Sequence, residues 1–393
     1  MGEGIKNNNE RQDKLREIVK DLNEGTDVKN VKKQFDNLIR NISPEEIAAI
    51  EQSLIDEGVP VEHVQKLCDI HVQVFDDALK KQKKSKVLPG HPVYSYRQEN
   101  KELRKRLRAL RIASRKPGSD FLSVLSDVKK IELHYVRKEN QLFPFLEGVD
   151  FTGPSKVMWG KHDEIREQFR LLEELQLQND PAGTKRETAE LIKKLKNMIF
   201  MEERILLPAS LRKLPESAWV KIRKGESSIG YAWIEPANLW DTNIVGAAEG
   251  TASDSSDSDG EIELDTGALT PFQINLMLKN LPFDMTFVDE NGKVAYYSEG
   301  RERIFPRSPG IIGRDVANCH PPKSVHVVEK VVESLKNGEK AEAEFWLKIN
   351  DQFVYIRYFP LFDVLGKYRG IIEVSQEVSG IKELTGERRL LDW

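Results

Sequence analysis

Two phrases of the sequence repeat each other: HYVRKENQLFP from His134 and MIFMEERILLP from Met198. In register, Glu139 matches Glu203, Leu142 matches Leu206 and Pro144 matches Pro208, while His134 faces Met198. Imidazole nitrogen and carboxylate oxygen are donors that iron(II) accepts, provided open positions remain for a small ligand. His162 adds a second imidazole on a helical seam, and His91 lies eight residues before Glu99 on another segment. One seam histidine is usually a satisfied core residue. Three histidines on three helices, beside repeated Glu-rich phrases, favour a metal. Met198 is a soft thioether, a poor partner for non-haem iron, and reads as a filler of core space.

These residues need helices to bring them together. Met158, His162, Ile165, Phe169 and Leu172 alternate spacings of four and three, as do Leu103, Leu107 and Leu110, with Glu99 one turn earlier. His134 follows Ile131 by three and Met198 follows Leu195 by three. Four amphipathic segments with short connections over 91–213 predict an antiparallel bundle. The Leu-aromatic-Pro and Leu-Leu-Pro endings of the two phrases read as helix stops. The aromatic-rich stretch from 214 to 240 reads as an extension that wraps the bundle.

His91, His134 with Glu139, His162 and the EERILLP phrase resemble a hemerythrin-like (HHE) cation-binding domain over about 90–210. The resemblance implies a four-helix bundle holding one or two non-haem iron ions. It implies His91, His134, Glu139, His162 and Glu203 as ligands, with Glu202 and Glu99 as further candidates. The chain departs from the family pattern at Arg166, Met198 and Lys138, where oxygen carriers have histidine, histidine and an acid. That thinning suits a reduced iron site better than an oxygen carrier. If Arg166 pairs with a glutamate that would otherwise face the metal, the site is partly structural.

Upstream, residues 11–82 read as short amphipathic helices. One is marked by a Ser43 cap, Pro44, a capping-box Glu46 and a stop at Gly58. This region resembles a helical domain of unknown function found ahead of hemerythrin-like domains, through LIDEGVPVEHVQKLCDIH. Cys68 and His71 share a helix face there and are candidates for redox or metal chemistry. The Gly/Ser/Asp tract within 241–267 reads as an acidic linker. Beyond it, Asn291-Gly292 sits between two strand-like runs, and helices and three further strands follow. Residues 268–385 resemble a PAS domain through LPFDMTFVDENGKV, GRDVANCHPPKSV and EFWLKINDQFVYIRYFPL. Such domains bind small ligands or pair with one another. Cys319, His320 and His326 are candidates to hold a cofactor such as haem, although Cys319 or His320 also suits a helix cap.

The expected fold is therefore multidomain: a helical N-terminal domain over 11–82, a four-helix bundle with its extension over 88–240, and an α+β domain over 268–385. With 393 residues, 32% charged and a formal net charge of −4, the chain is not a general nucleic-acid binder. The arginines of ELRKRLRALRIASRK read as the solvated face of a bundle helix. No apolar run reaches the ~18 residues of a membrane span. The first residues lack the pattern of a secretion signal, and two cysteines suit a reducing cytosol. The expected function is a cytosolic sensor that binds iron, meets a small diatomic ligand and relays an oxygen, nitric oxide, redox or iron signal. Homodimerisation through the PAS domain and an unidentified protein partner accompany this expectation. The alternatives are a metal-free adaptor and, less favoured, an iron enzyme that processes oxygen or peroxide; no nucleotide-binding or hydrolase motif is present.

Overall fold

The computed structural model describes residues 85–115, 119–236, 239–240, 260–300, 303–349 and 351–387, with positions 13, 14, 17, 52–55, 57–60 and 64 nearer the start. Cys68, His71 and the Ser43 cap lie outside the described residues. Gly58 does end a helical turn. It adopts φ +87°, its N–H donates to Ile55 O, and Val59 N–H donates to Leu54 O at 2.9 Å. That pair of bonds is a Schellman stop, which needs the left-handed conformation glycine adopts freely. The chain falls into two compact units, dividing at about residue 249.

The first unit holds the bundle: α1 (Pro92–Ala113), α2 (Ser119–Lys129), α3 (Glu132–Arg137), α4 (Phe143–Glu147), α5 (Gly153–Leu177), α6 (Pro181–Met201) and α7 (Leu207–Lys213). Leu103, Leu107 and Leu110 are buried, as are Ile165, Phe169 and Leu172. Arg104 and Arg108 on α1 face outward, so the expected seams form. Each buried leucine contributes about 1.5–3 kcal/mol. Leu54 and Val64 join this core, and Thr152 Oγ1 donates to Gln52 Oε1 at 2.7 Å. After α7, α8 (Glu216–Gly225) and the segment 226–233 lie against the bundle, with Trp219 and Ala232 buried.

The two prolines do not stop their helices. Lys138–Leu142 and Glu202–Leu206 are π-helical, and the chain continues through Pro144 in α4 and Pro208 in α7. A proline lacks the N–H for an α-helical bond and clashes with the carbonyl four residues earlier. Those carbonyls belong to Asn140 and Arg204, inside the π turns. The wider turn accommodates the ring, so each Pro marks a π-bulge and the helix goes on.

The second unit begins with a short hairpin, β1 (Ile262–Leu264) with β2 (Gly267–Leu269), at the end of the stretch read as linker. It continues through α9 (Pro271–Asn280), β3 (Asp284–Asp289), β4 (Val294–Tyr297), α10 (Val325–Lys336), β5 (Ala343–Ile349), β6 (Gln352–Phe362), β7 (Tyr368–Glu377) and α11 (Ser379–Lys382). The sheet order is β4-β3-β7-β6-β5, antiparallel throughout. Asn291-Gly292 makes the expected turn, with Gly292 at φ +76°. Gly370 is required where β7 crosses β3. At φ +135°, a Cβ there would collide with the Val288 carbonyl.

Candidate metal centre

The bundle interior is polar where the two phrases meet. His134, one turn into α3, is fully buried; its Nδ1 is 2.9 Å from Glu99 Oε2 on α1 and its Nε2 is 3.1 Å from Glu202 Oε2. Each carboxylate is satisfied when the facing ring nitrogen carries hydrogen. Lys138 lies one turn beyond His134, on the same helix face, and is wholly buried. Its ammonium donates to Glu202 Oε1 and to His162 Nε2 at 2.9 Å, and lies 3.8 Å from Met198 Sδ. The Tyr135 ring closes the remaining side, with Lys138 Nζ 4.6 Å from its centroid.

This pattern fixes the neighbouring protons. His162 accepts from Lys138 at Nε2, so Nδ1 carries the hydrogen and donates to Glu139 Oε1 at 2.6 Å. Burial, then the charges of Lys138 and Arg166, pushes the His162 pKa well below its ordinary value and keeps the ring neutral. The ring stacks on Tyr135 with centroids 4.2 Å apart. Burial would raise the Glu202 carboxyl, but Lys138 and His134 hold it far below the usual range. Burial pulls the Lys138 pKa below its ordinary value, and the Glu202 carboxylate opposes that shift.

Each remaining carboxylate also has a protein cation. Glu99 receives Arg137, Glu139 Oε2 receives Arg166 at 2.9 Å, and Glu203 receives Arg104 at 2.7 Å. The two fourth-helix candidates therefore exchange places relative to expectation. Glu202 faces the centre because it follows Met198 by one turn, and Glu203 meets the partly exposed Arg104. His134, His162, Glu139, Glu202 and Glu99 come together; Lys138 entered the sequence reading only as a departure from the family pattern, and Arg137 and Asn100, whose Nδ2 donates to Glu202 at 2.7 Å, were passed over. The signal for Lys138 was its four-residue step from His134.

His91 stands apart from this network. It caps α1, its Nδ1 accepting from Val93 N at 3.1 Å. Its ring packs on Trp219 and Trp240 at 4.9 and 4.8 Å. Burial, and secondarily Arg97, lowers its pKa from 6.5 to about 4. The folded protein thus keeps His91 neutral where the unfolded chain takes up a proton. Its contribution to stability is complete above about pH 6.5 and is lost as the pH falls towards 4, by about 3 kcal/mol at most. His91→Asn retains a capping oxygen without the titration. Urea unfolding across this range should show a shallower pH slope in the variant, whereas equal slopes would exclude His91 as the source.

The three cofactor candidates belong to the second unit. Cys319 packs beside Val288, Val294 and Ile311, with its Sγ 3.5 Å from Asp315 O. The N-cap of α10 is Ser324, neither Cys319 nor His320. A cavity of about 450 Å³ is lined by Leu281, Phe283, Asp284, Ile304 and Ser375 among others, and by none of Cys319, His320 or His326.

Three family models match the chain: a family of unknown function, DUF438, over 15–81; the hemerythrin HHE cation binding domain over 91–210; and a PAS domain over 274–379. The chain carries a hemerythrin-like domain. The DUF438 region precedes its bundle and a PAS domain follows. A solved C-terminal domain of a Streptococcus mutans protein is 33% identical, covering 33% of this chain and all of that one, with a TM-score of 0.32. A PAS domain from Colwellia psychrerythraea is 17% identical over 28% of this chain and 97% of its own, with a TM-score of 0.23. A sensory box sensor histidine kinase from Vibrio cholerae is 11% identical over 28% of this chain and 91% of its own, with a TM-score of 0.22. No curated protein matches the chain.

The family implies a bound metal, but the hemerythrin-like domain does not present its donors to one. Lys138 Nζ lies among His162, Glu202 and Met198, where an inner cation would sit, and each inward carboxylate is bonded to a protein cation. Among the described residues no group of three or more His, Cys, Asp or Glu side chains converges as a metal site. As arranged, these residues do not fit a divalent ion.

Proposed function

We propose that the chain is a cytosolic regulatory protein in which the hemerythrin-like bundle is the input module and the PAS domain pairs with a second copy of itself. The pairing of a hemerythrin-family domain with a PAS domain in one chain supports a sensory role. Among the described residues no helix is long and apolar enough to cross a membrane.

The observation that carries the assembly reading is α9. None of its residues is buried, and Phe272, Leu276 and Met277 are 65%, 50% and 57% exposed. A helix of this length is marginal in water without an apolar surface to pack on. Such a face marks an interaction surface. β5, at the edge of the sheet, also exposes Phe345, Trp346 and Leu347.

Sedimentation should give the full chain a mass twice its 45.0 kDa. Leu276→Glu should reduce it to the single-chain mass without changing the helical signal of the bundle. A wild-type chain that sediments as a monomer at micromolar concentration sinks this reading. An iron-borne oxygen, nitric oxide or redox signal has less support, because the arrangement around Lys138 does not present the donors to iron.

A further inference from the structure

We propose that Lys138 is the resident cation of this hemerythrin-like domain: its ammonium fills the centre of the His/Glu core and closes it to a divalent metal ion. This deepens the regulatory reading by assigning the bundle a metal-independent core, and it does not depend on pairing of the PAS domain.

The partners of Lys138 have the chemistry of an ammonium site. Glu202 supplies the counter-charge, His162 Nε2 a lone pair at 2.9 Å, Met198 a polarizable sulfur at 3.8 Å and Tyr135 a ring face at 4.6 Å. An aromatic face is a recognised partner for an organic cation, whereas ordinary non-haem iron favours imidazole and carboxylate over a thioether. The amine is wholly buried, so a metal ion entering the core would have to displace it.

The internal repeat shows how this core differs from a metal site. Lys138 and Glu202 occupy equivalent places in the two phrases, as do His134 and Met198. Within each phrase the two positions lie one helical turn apart, His134 before Lys138 and Met198 before Glu202, so the four side chains face the same interior. With His and Glu in both copies, the four would be a symmetric donor set. Instead one carboxylate position carries an amine and one imidazole position a thioether. The first change supplies positive charge from the chain itself. The second removes a nitrogen donor and leaves a soft contact for that charge.

Metal uptake by the full chain tests this. The purified protein is equilibrated anaerobically with iron(II), and separately with cobalt(II), then desalted and analysed for metal. Wild type should retain only sub-stoichiometric metal, and its melting temperature should not respond to either ion or to chelator. Lys138→Glu removes the ammonium and supplies a carboxylate; combined with Met198→His it should hold stoichiometric metal. Cobalt affinity should rise at least about 100-fold, as expected for reversing a charge at contact distance. Lys138→Gln, which removes the charge alone, covers the case in which Lys138→Glu does not fold, and should still raise uptake measurably. Wild type that keeps one equivalent of iron through desalting overturns the proposal. So does unchanged uptake in every folded variant, since something other than the lysine would then exclude metal. A monomeric wild type would sink the PAS pairing and leave this inference standing.

Discussion

Replacing Glu202 with leucine is expected to destabilise the bundle by about 3–5 kcal/mol, because it leaves a buried ammonium without its counter-ion. Glu202 is 1% exposed and receives three groups at once: Lys138, His134 and Asn100. Lys138→Leu should cost a similar amount by leaving the buried carboxylate without its ammonium. The double variant should recover part of the loss, since the Asn100 amide that donates to Glu202 and the His162 nitrogen that accepts from Lys138 lose those bonds. Desolvating two charges consumes most of their mutual attraction, and an apolar pair of similar volume is often neutral or stabilising by comparison. The cycle should therefore yield a coupling of about 3 kcal/mol or more, at the upper end for contacting residues. Urea unfolding followed through the bundle's helical signal measures all four corners. If each single variant loses less than about 1 kcal/mol, the pair behaves like a surface bridge, and Lys138 cannot be the charge that organises this core.

The architecture was legible wherever one periodicity ruled a segment. Leu103, Leu107 and Leu110 spelled out the buried face of α1, and Asn291-Gly292 marked the β3–β4 turn. The Pro-ended phrases misled because proline restricts the local backbone without deciding whether a π turn can carry the helix past it. The site was legible by residue type: His134, His162, Glu139, Glu99 and Glu202 do meet. The cations were not legible in the same way, because a search for metal donors discards lysine and arginine, although Lys138, Arg137 and Arg166 are the groups these carboxylates bond. Arg166 was the informative exception, since its pairing with Glu139 was foreseeable from its place on the His162 helix. His91 satisfied the expected order of histidines, yet a histidine directly before the Pro that opens a helix is also placed to cap it. Nothing in the spacing revealed that 226–233 would close over Arg137, because that contact joins residues about 90 apart.

Arg137 is expected to be the second most sensitive position, and its loss should be felt in a segment far along the chain. Its guanidinium is fully buried and donates from Nη1 to Glu99 Oε1 at 2.9 Å and to Gly230 O at 2.8 Å, and from Nη2 to Glu99 Oε2. It also lies over Tyr231, 4.4 Å from the ring centroid, and over Tyr96 at 5.0 Å. Glu99 Oε1 accepts in turn from Ala232 N at 2.7 Å, so one ion pair fixes both α1 and the covering segment. Arg137→Met should cost about 3–5 kcal/mol by leaving Glu99 buried with one fewer cation. Arg137→Lys is the sharper probe. It keeps the charge but cannot reproduce the planar fork that reaches Glu99 and Gly230 together. Hydrogen exchange should then quicken at the amides of 230–233 while α6 stays protected, the signature of local opening. Unchanged protection at those amides in Arg137→Lys would show that ring packing alone holds the segment. Loss of protection confined to them would establish that the charge network at the bundle centre also controls what covers it.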